Sequence, residues 1–307
     1  MAQTRGTFPQ LADNVDYRDV FVLLEGALKE QAAIWKSYYN IETSNRKTEI
    51  TQSYTELSDV PEKPEGSYYT TDVIRPAFRK DVTHTEFGLG FEMTETAGED
   101  DRYGVLKRNT KWLAFSARYV EEKRAAAPLN NGFTTETSSD AVSAFSASHV
   151  LGNGDTARNI LNPGQDLSWN SLTQAMIDVQ NQTKSDGGRF AAMIDKWKII
   201  VPPDLKFTAA RIINSTLLPG SAENDKNSLK DFHSFDIVVN PHLTDSDAWF
   251  LLAGDKSRHG LMSYTRIPIT MVKPMDDPRT GNTIYKVRFR RSWFWNTWQN
   301  SFASQGA

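Results

Sequence analysis

The stretch from residue 42 to residue 87 constrains the fold most, because it combines dense charge with two β-rich runs. Residues 48–57 and 67–74 are rich in β-branched side chains and tyrosine, and the sequence Pro-Glu-Lys-Pro-Glu-Gly at 61–66 separates them. Strand-forming runs joined by such a turn predict a long two-stranded β-hairpin. Two arms of about 20 residues at ~3.3 Å per residue would reach ~65 Å. A body built from the rest of the chain would be about 45–50 Å across, so the hairpin would overhang it.

The alternative for this stretch is a charged, disordered surface loop. An isolated two-stranded ribbon is only marginally stable in water, so a hairpin here needs support from outside its own domain. Residues 49–86 contain few large aliphatic side chains and three prolines. We therefore expect this segment to add little to the core of its own subunit.

A first helix is predicted from Asp16 or Asp19, as the capping residue, to about Lys36. Its apolar residues recur at helical spacing and are expected to pack as an ordinary buried stripe. The stripe consists of Val20, Leu23, Leu24, Ala27, Leu28 and Ile34.

The strongest helix signal covers residues 100–126, a length of ~40 Å at 1.5 Å per residue. Acidic residues at 99–101 fall in its first turn, and Lys123 and Arg124 in its last, which suits the helix dipole. Pro128 is expected to end the helix. Two rows at seven-residue spacing predict one continuous apolar face. The rows are Val105, Trp112, Tyr119 and Leu106, Leu113, Val120.

The remainder predicts a mixed α/β region followed by a returning hairpin. Residues 129–167 are rich in Ser, Thr, Asn and Gly and indicate a surface excursion, after which Ser168 caps a helix. Strands are expected at 198–201, 235–239 and 248–252, with a helix starting at Asp204. Residues 266–273 and 283–291 predict a hairpin, and the tryptophans at 293–298 favour a core plug over a sugar- or base-stacking platform.

Composition excludes several classes of protein. There is no cysteine, which removes disulfide scaffolds, thiol nucleophiles and Cys-ligated metals. Lys plus Arg number 35 against 38 Asp plus Glu, a net charge of −3. Tight nucleic-acid binders are usually strongly basic, so DNA is expected at most as a neighbour. No apolar run approaches the roughly 20 residues of a membrane span, so we expect a soluble chain without a membrane partner.

Catalytic and ligand-binding motifs are absent from the sequence. It contains no nucleophile elbow, phosphate loop, dinucleotide fingerprint or zinc-protease motif. The glycine pairs at 88–90 and 152–154 are expected to be turns, and the five histidines have no metal-ligand spacing. The sequence therefore predicts no enzyme, no catalytic residue, no cofactor and no metal.

The order of parts and three segments resemble the major capsid (head) proteins of tailed bacteriophages, the Johnson-fold or Hong Kong 97-like family. The most specific segment is residues 199–215, Ile-Ile-Val-Pro-Pro-Asp-Leu-Lys-Phe-Thr-Ala-Ala-Arg-Ile-Ile-Asn-Ser, followed by 217–227. Residues 238–253, with an Asn-Pro-His-Leu-Thr-Asp turn, look like the Mu-type major head subunit. Residues 87–94, running into 100–106, resemble the family's approach to its spine helix.

The resemblance implies an α+β, Hong Kong 97-like capsid fold. Its parts would be an N-terminal arm (1–16), a first helix leading into the hairpin (17–45), an extended β-hairpin loop (46–90), a peripheral domain with the spine helix and the C-terminal hairpin (91–127 plus 263–307), and a mixed α/β axial domain (128–262). It implies a structural protein that self-assembles into the hexamers and pentamers of an icosahedral head enclosing double-stranded DNA. Inter-subunit contacts are expected from Tyr54, Lys63, Tyr68, Tyr69, Arg75 and Arg79.

The expected partners are other copies of the chain, a portal and a scaffolding protein, with a decoration protein left open. Met1 favours a separate scaffolding chain over a removed segment. The protein would lie in the virion capsid and, before assembly, in the host cytoplasm. Two alternatives remain at this point: an encapsulin-like bacterial nanocompartment shell of the same fold, and an enzyme or sugar-binding protein that uses the Trp-rich C-terminus.

Overall fold

Helices and strands of very unequal length make up the computed structural model, which describes residues 17–54, 57, 60–74, 76–94, 96–97, 104–151, 154–182, 194–218, 225–277 and 279–307. The helices are α1 (Tyr17–Glu30), α2 (Val105–Asn130), α3 (Trp169–Gln180), α4 (Lys206–Asn214) and α5 (Ser228–Phe232), with 3-10 turns at Ile34–Ser37 and Pro203–Leu205. The strands are β1 (Asn40–Thr43), β2 (Thr48–Tyr54), β3 (Pro76–Thr83), β4 (Thr85–Met93), β5 (His149–Val150), β6 (Thr156–Ala157), β7 (Lys196–Val201), β8 (Ser234–Val239), β9 (Trp249–Ala253), β10 (Leu261–Asp276), β11 (Thr283–Trp295) and β12 (Ser301–Ser304).

The first large sheet has the strand order β1-β10-β11-β4, and helices α1 and α2 cover one of its faces. The long β10–β11 pair is antiparallel and confirms the predicted C-terminal hairpin, extended at both ends. Apolar side chains from both helices and the sheet form one core beneath them. Its fully buried members include Val20, Leu24, Leu106, Leu113, Ala114, Met271, Val287 and Phe289.

The second large sheet has the order β12-β9-β7-β8 and packs against α3 and α4. Its central strands are buried on both faces, which explains their continuous apolar sequences. Ser168 caps α3 as predicted, because its hydroxyl accepts a hydrogen bond from the backbone N–H of Ser171. The last strand, β12, pairs with β9, so residues 301–304 of the expected peripheral segment belong to this sheet.

An aromatic cluster joins the two sheets. Trp35, Tyr38, Trp295 and Phe250 are all buried there, which confirms that the C-terminal tryptophans act as a core plug. Phe145 also belongs to this cluster. The prediction that 129–167 is a surface excursion is therefore wrong, because apolar residues of this segment are buried in the cluster between the two sheets.

The first helix ends at Glu30, earlier than the predicted Lys36. The chain then turns, and the backbone N–H groups of Ile34 and Trp35 donate hydrogen bonds to the Glu122 carboxylate. Because these two N–H groups are hydrogen-bonded to a carboxylate, the chain can leave the α-helix here without unpaired backbone donors. Trp35 is released from the helix and becomes buried in the aromatic cluster.

The long helix α2 departs from its prediction at both ends. It starts at Val105, and the acidic residues at 99–101 lie outside the described residues. It also runs through Pro128 to Asn130. Proline removes a single hydrogen-bond donor, and here it does so only two residues before the helix ends. The tryptophan at 295 donates a 3.1 Å bond to the Pro128 carbonyl and fixes this last turn.

Only part of the predicted apolar face of α2 is buried. Leu113 is 4% exposed, whereas Trp112 is 65% exposed and Tyr119 is half-exposed. Neighbouring residues on a helix point about 100° apart, and Trp112 lies on the side of Leu113 that faces away from the centre of the buried face. The buried face instead follows Leu113, Ala114 and Ala117.

Leu113→Ala should lower the free energy of unfolding by about 2–5 kcal/mol, because it truncates a buried side chain in a packed core. Trp112→Ala is the matched control: it removes a larger but exposed side chain next to it and should change stability by only about 0.5 kcal/mol. Urea denaturation followed by circular dichroism gives both values. Equal losses for the two variants would contradict the burial pattern of α2.

No helix in the described part of the chain is both long enough and apolar enough to cross a membrane.

Candidate inter-subunit surface

Strands β2 and β3 form an antiparallel hairpin that projects as a two-stranded sheet of its own. Thr48 pairs with Thr83, and Tyr54 pairs with Pro76. The predicted second strand at 67–74 is wrong, because these residues have no strand conformation. Pro61 and Pro64 on the opposite side lack the N–H donors that a ladder requires. The paired arms of seven and eight residues span only about 25 Å at ~3.3 Å per residue.

The base of this hairpin is fixed to the body of the subunit. The ammonium group of Lys80 donates hydrogen bonds to Glu136 Oε1 at 3.2 Å, to the Thr137 carbonyl at 2.5 Å and to the Trp295 carbonyl at 3.1 Å. Val82 is buried in a small apolar cluster with residues of β10 and β11. The expectation that all of 49–86 contributes little to the core is therefore wrong for this end of β3.

Beyond the paired strands, the described residues form neither a helix nor a strand. Every described residue from 57 to 74 is exposed, and we call residues 55–75 the tip. Three of its apolar side chains are almost fully exposed: Tyr68 at 99%, Val60 at 96% and Tyr69 at 83%. Leu57, Val73 and Ile74 are more than half exposed. Six large apolar side chains exposed within one segment exceed the single scattered ones of an ordinary soluble surface, so the tip has the character of a binding surface.

The sequence-predicted contact residues lie on this hairpin and its tip, with one exception. Arg75 falls outside the described residues. Lys63 and Tyr69 meet, with the ammonium nitrogen 4.7 Å from the ring centroid. Tyr54 is exposed at the end of β2. Tyr68 is almost fully exposed in the tip. Contact with a neighbouring subunit stays a prediction for all of these residues.

The remaining predicted contact residue, Arg79, is engaged within β3. It forms a 2.8 Å salt bridge with Asp81, and both side chains are more than half exposed. The hydrogen bond from Arg79 lowers the pKa of the Asp81 carboxyl. Arg79 therefore presents a neutralised pair, and not a free cation, on the hairpin surface.

A second exposed surface, which the sequence did not reveal, is the open face of the first sheet. Gly88 and Gly90 lie inside β4 and leave a shallow trough of about 800 Å³ that is also lined by Leu89 and Ile284. The prediction of a turn at 88–90 is wrong. A side chain at 90 would place its Cβ 2.9 Å from the Tyr285 carbonyl, so only glycine fits there.

The most chemically suggestive pair in the described part of the chain is His149 with Asp140. Nδ1 of His149 lies 2.6 Å from Asp140 Oδ2, and Nε2 lies 3.0 Å from Asn159 Oδ1. Asn159 Nδ2 donates to the Ala144 carbonyl, so its Oδ1 is the acceptor facing the imidazole. Both ring nitrogens are thus occupied by hydrogen-bond partners, and the ring stacks on Trp298 at 4.6 Å. A buried imidazole held in this way has a structural role and offers no free base.

Asp140→Asn should cost about 1–3 kcal/mol at neutral pH, because it removes a charge-assisted buried hydrogen bond. Burial alone would raise the pKa of Asp140, but hydrogen bonds from His149 and Ser138 lower it below its ordinary value. Stability from the carboxylate is thus present above its unfolded pKa of about 3.9 and lost as pH falls through the folded pKa. The gap between wild type and variant should narrow on acidification.

Urea denaturation across this pH range measures that gap. Asp245→Asn is the control, because Asp245 is exposed and also accepts a backbone hydrogen bond. It should shift stability by about 0.5 kcal/mol or less. A gap at Asp140 that stays constant down to about pH 3, beneath the ordinary aspartate pKa, would contradict a stabilising Asp140 carboxylate.

Among the described residues, no three His, Asp or Glu side chains come together in a way that could hold a metal ion. The other buried histidines have structural partners. His84 lies between Ser44 and Ser292 at 2.9 and 3.1 Å. Burial lowers the pKa of His259 to about 4, so this ring is neutral at physiological pH. The features that stand out in the described part of the chain are its exposed surfaces.

Residues 79–299, well over half of the chain, match the sequence model of a family described as phage capsid protein. The chain belongs to the phage capsid protein family. The sequence-based resemblance to tailed-phage major capsid proteins is thereby confirmed at the level of the family. No curated protein is similar enough in sequence to match.

Solved shells share the fold of this phage capsid protein. The capsid protein of cyanophage P-SCSP1u is 10% identical with a TM-score of 0.58, over 90% of this chain and 89% of that one. A protein of Mycobacterium phage Patience is 9% identical with a TM-score of 0.55, over 99% and 92%. The virus-like particle from Pyrococcus furiosus is 10% identical with a TM-score of 0.53, over 94% and 100%. The predicted α+β, Hong Kong 97-like capsid fold is confirmed.

This capsid protein is a structural shell protein. A shell subunit contacts copies of itself on several sides. The hairpin, its tip and the open sheet face are therefore candidate surfaces for such contacts. The sequence anticipated the hairpin through its tyrosines and charges. It could not anticipate the trough, because a pair of glycines inside a strand resembles a turn until the partner strand is known.

Proposed function

We propose that this capsid protein is the major shell subunit, which forms hexamers and pentamers of a closed icosahedral head around double-stranded DNA. The observation that carries the proposal is the tip, whose apolar side chains are exposed on a hairpin whose base alone is fixed to its own subunit. Burying such side chains is favourable by about 25 cal/mol per Å² of apolar surface removed from water. A neighbouring subunit supplies the surface that buries them.

In this proposal the part of the extended loop (46–90) that lies beyond Lys80, the hairpin end and its tip, contacts the adjacent subunit, while β4 stays in the first sheet. The contact residues are Tyr54, Lys63, Tyr68, Tyr69, Arg75 and Arg79. The peripheral domain (91–127 plus 263–307, except for 301–304, which pair with β9) and the axial domain (128–262) form the shell wall. The arm (1–16) and first segment (17–45) complete it. The fold of assembled phage capsids supports this arrangement.

The partners in this proposal follow from a head that must be built around a size template and then filled. They are a separate scaffolding protein, a portal and, where one is used, a decoration protein. Because its net charge is −3, the subunit lies next to the packaged DNA without binding it tightly or specifically. It performs no catalysis, and it resides in the host cytoplasm before assembly and in the virion afterwards.

A second candidate is an encapsulin-like nanocompartment shell that encloses protein. The observation in its favour is that the whole chain of the Pyrococcus furiosus virus-like particle superposes on this subunit. Fold similarity does not discriminate between the two candidates, because it is nearly the same for that particle and for phage capsids. The match to the phage capsid family therefore favours the phage head.

Electron microscopy and content analysis of particles from producing cells test the proposal. We expect closed shells whose nucleic acid resists nuclease until the shells are opened. Shells that hold a folded enzyme and no protected DNA would support the nanocompartment instead. A chain that stays monomeric at high concentration, with its scaffolding protein present, would contradict both.

A further inference from the structure

The solvent side of α2 has an unusual composition. Eight residues of this helix are exposed, and all of them are basic or aromatic. The two glutamates of the helix, Glu121 and Glu122, are buried and engaged by arginine or backbone groups. The acidic run at 99–101 lies outside the described residues. The exposed side of this 26-residue helix therefore carries only positive charge.

Six of the eight exposed residues share one side of the helix, and we call them the α2 stripe. Five of them follow one another at three or four residues, one turn apart on the same face, and Lys111 flanks Trp112. From the first to the last the stripe is about 22 Å long at 1.5 Å per residue. Its members are Arg108, Lys111, Trp112, Phe115, Tyr119 and Lys123.

The aromatic rings of the stripe contribute little to the subunit's own core. Trp112 is 65% exposed and meets Phe115 edge to face with centroids 6.2 Å apart. Tyr119 is half-exposed and touches His242 at 5.1 Å. The core lies on the opposite side of the helix. Tryptophan, tyrosine and arginine are the residues most often found at the centre of protein–protein interfaces.

Charge and shape together identify the kind of partner. Double-stranded DNA would pair with the cations through its phosphates, but its stacked bases offer no surface to cover Trp112 and Phe115. A helix with an apolar row flanked by acidic residues satisfies both, because anchors at one-turn spacing match the packing of two helices side by side. About four turns of such a helix cover the stripe.

We infer that the α2 stripe binds an acidic amphipathic helix of another chain, with the aromatic rings as anchors and the flanking cations as charge partners. The inference rests on the proposed function, within which the scaffolding protein is the chain that supplies this helix. The extended tip of a neighbouring copy is also acidic and apolar, but residues 60–74 have no helical conformation to match the stripe.

The test measures binding of a labelled peptide to the unassembled full-length chain by fluorescence anisotropy. The peptide is a helix of about 18 residues with leucines at one-turn spacing and glutamates beside them. A second peptide replaces the leucines with glutamine, and a DNA duplex of similar length is the third probe. We expect saturable binding of the first peptide and binding about tenfold or more weaker for the other two.

Two variants locate the site. Trp112→Ala with Phe115→Ala should weaken binding of the first peptide by about tenfold or more. The matched control is Lys206→Glu with Phe207→Ala, because this pair on α4 is also an exposed lysine beside an exposed aromatic ring. It should leave binding unchanged. Circular dichroism confirms that both variants fold.

Three results would overturn the inference. Duplex binding as tight as peptide binding, and insensitive to the aromatic variant, would assign the stripe to nucleic acid. Equal loss in both variants would mean non-specific adhesion. No saturable binding of the first peptide would remove the site. If the first peptide does not bind but the same wild-type preparation forms shells, the inference fails and the proposed function stands. If the first peptide binds but no shells form, the proposed function fails and the stripe remains a helix-binding site.

Discussion

A subunit whose tip, residues 55–75, is replaced by a four-residue Gly-Ser linker should fold normally and fail to form closed shells. Tyr54 and Pro76 are paired across the hairpin, so a short linker joins them without strain. Folding should survive because the replaced residues that are described are all exposed, and because shortening a loop changes its closure entropy only slightly. The Lys80 contacts and the buried Val82 stay in place.

Shell formation should fail because the deleted apolar side chains have no partner within their own subunit. A stable interface commonly buries about 1,200–2,000 Å² in total, and losing the tip removes much of one side. Negative-stain microscopy and thermal denaturation on the same preparation separate assembly from folding. Tyr68→Ser with Tyr69→Ser keeps the loop length and should give an intermediate loss.

Two outcomes would contradict this prediction. Unfolding of the linker variant would mean that the tip belongs to the core of its own subunit. Full shells from the linker variant would mean that the extended loop makes no essential contact. By contrast, removal of 49–86 as a whole should destabilise the subunit, since it also removes the buried base of β3.

Glu121→Leu should lower the free energy of unfolding by about 3–5 kcal/mol, because it leaves buried cations without their counter-charge. Glu121 is buried between Arg118 and Arg291, and its carboxylate accepts a hydrogen bond from each. Arg291 also lies over the Trp35 ring at 4.7 Å, so this ion cluster holds α2, β11 and the segment after α1 together. Burial, and then the charge of Arg118, lowers the pKa of Arg291 to about 10.

The matched control replaces all three charged residues, with Arg118→Met, Glu121→Leu and Arg291→Met in one chain. Buried ion clusters replaced as a unit by apolar residues of similar volume are often neutral in stability. The triple variant should therefore recover most of the loss of the single one, as judged by urea denaturation. A triple variant as unstable as Glu121→Leu would mean that packing at this site, and not the uncompensated charge, decides stability.

Local signals in the sequence identified the elements whose cause is local. The Ser168 cap and the strand that stops at Pro202 are written into neighbouring residues, and both were predicted. The second arm of the hairpin was not, because 67–74 has the composition of a strand while pairing depends on distant residues. Trp112 and Tyr119 were assigned to the core because hydrophobicity does not distinguish a core from an interface.

The same limit applies to the candidate inter-subunit surface. The sequence singled out Tyr68 and Tyr69 as contact residues but placed them in a paired strand, whereas the structure leaves them exposed outside any strand. Lys80 carries the same charge as the lysines around it, and nothing local shows that its ammonium group reaches the backbone carbonyls of residues more than 50 positions away. Residues 129–167 were misjudged for the same reason, since Phe145 becomes core only through contacts with remote strands.

The joint between β3 and β4 has a mechanical consequence. His84 alone separates the last residue of β3 from the first of β4, and its buried ring is hydrogen-bonded to Ser44 on one side and Ser292 on the other. Strand β4 continues directly into the first sheet by pairing with β11. A torque that a neighbour applies to the tip is therefore transmitted to the first sheet. The hairpin can bend only beyond Lys80, and any larger movement of the hairpin must rotate the sheet as well.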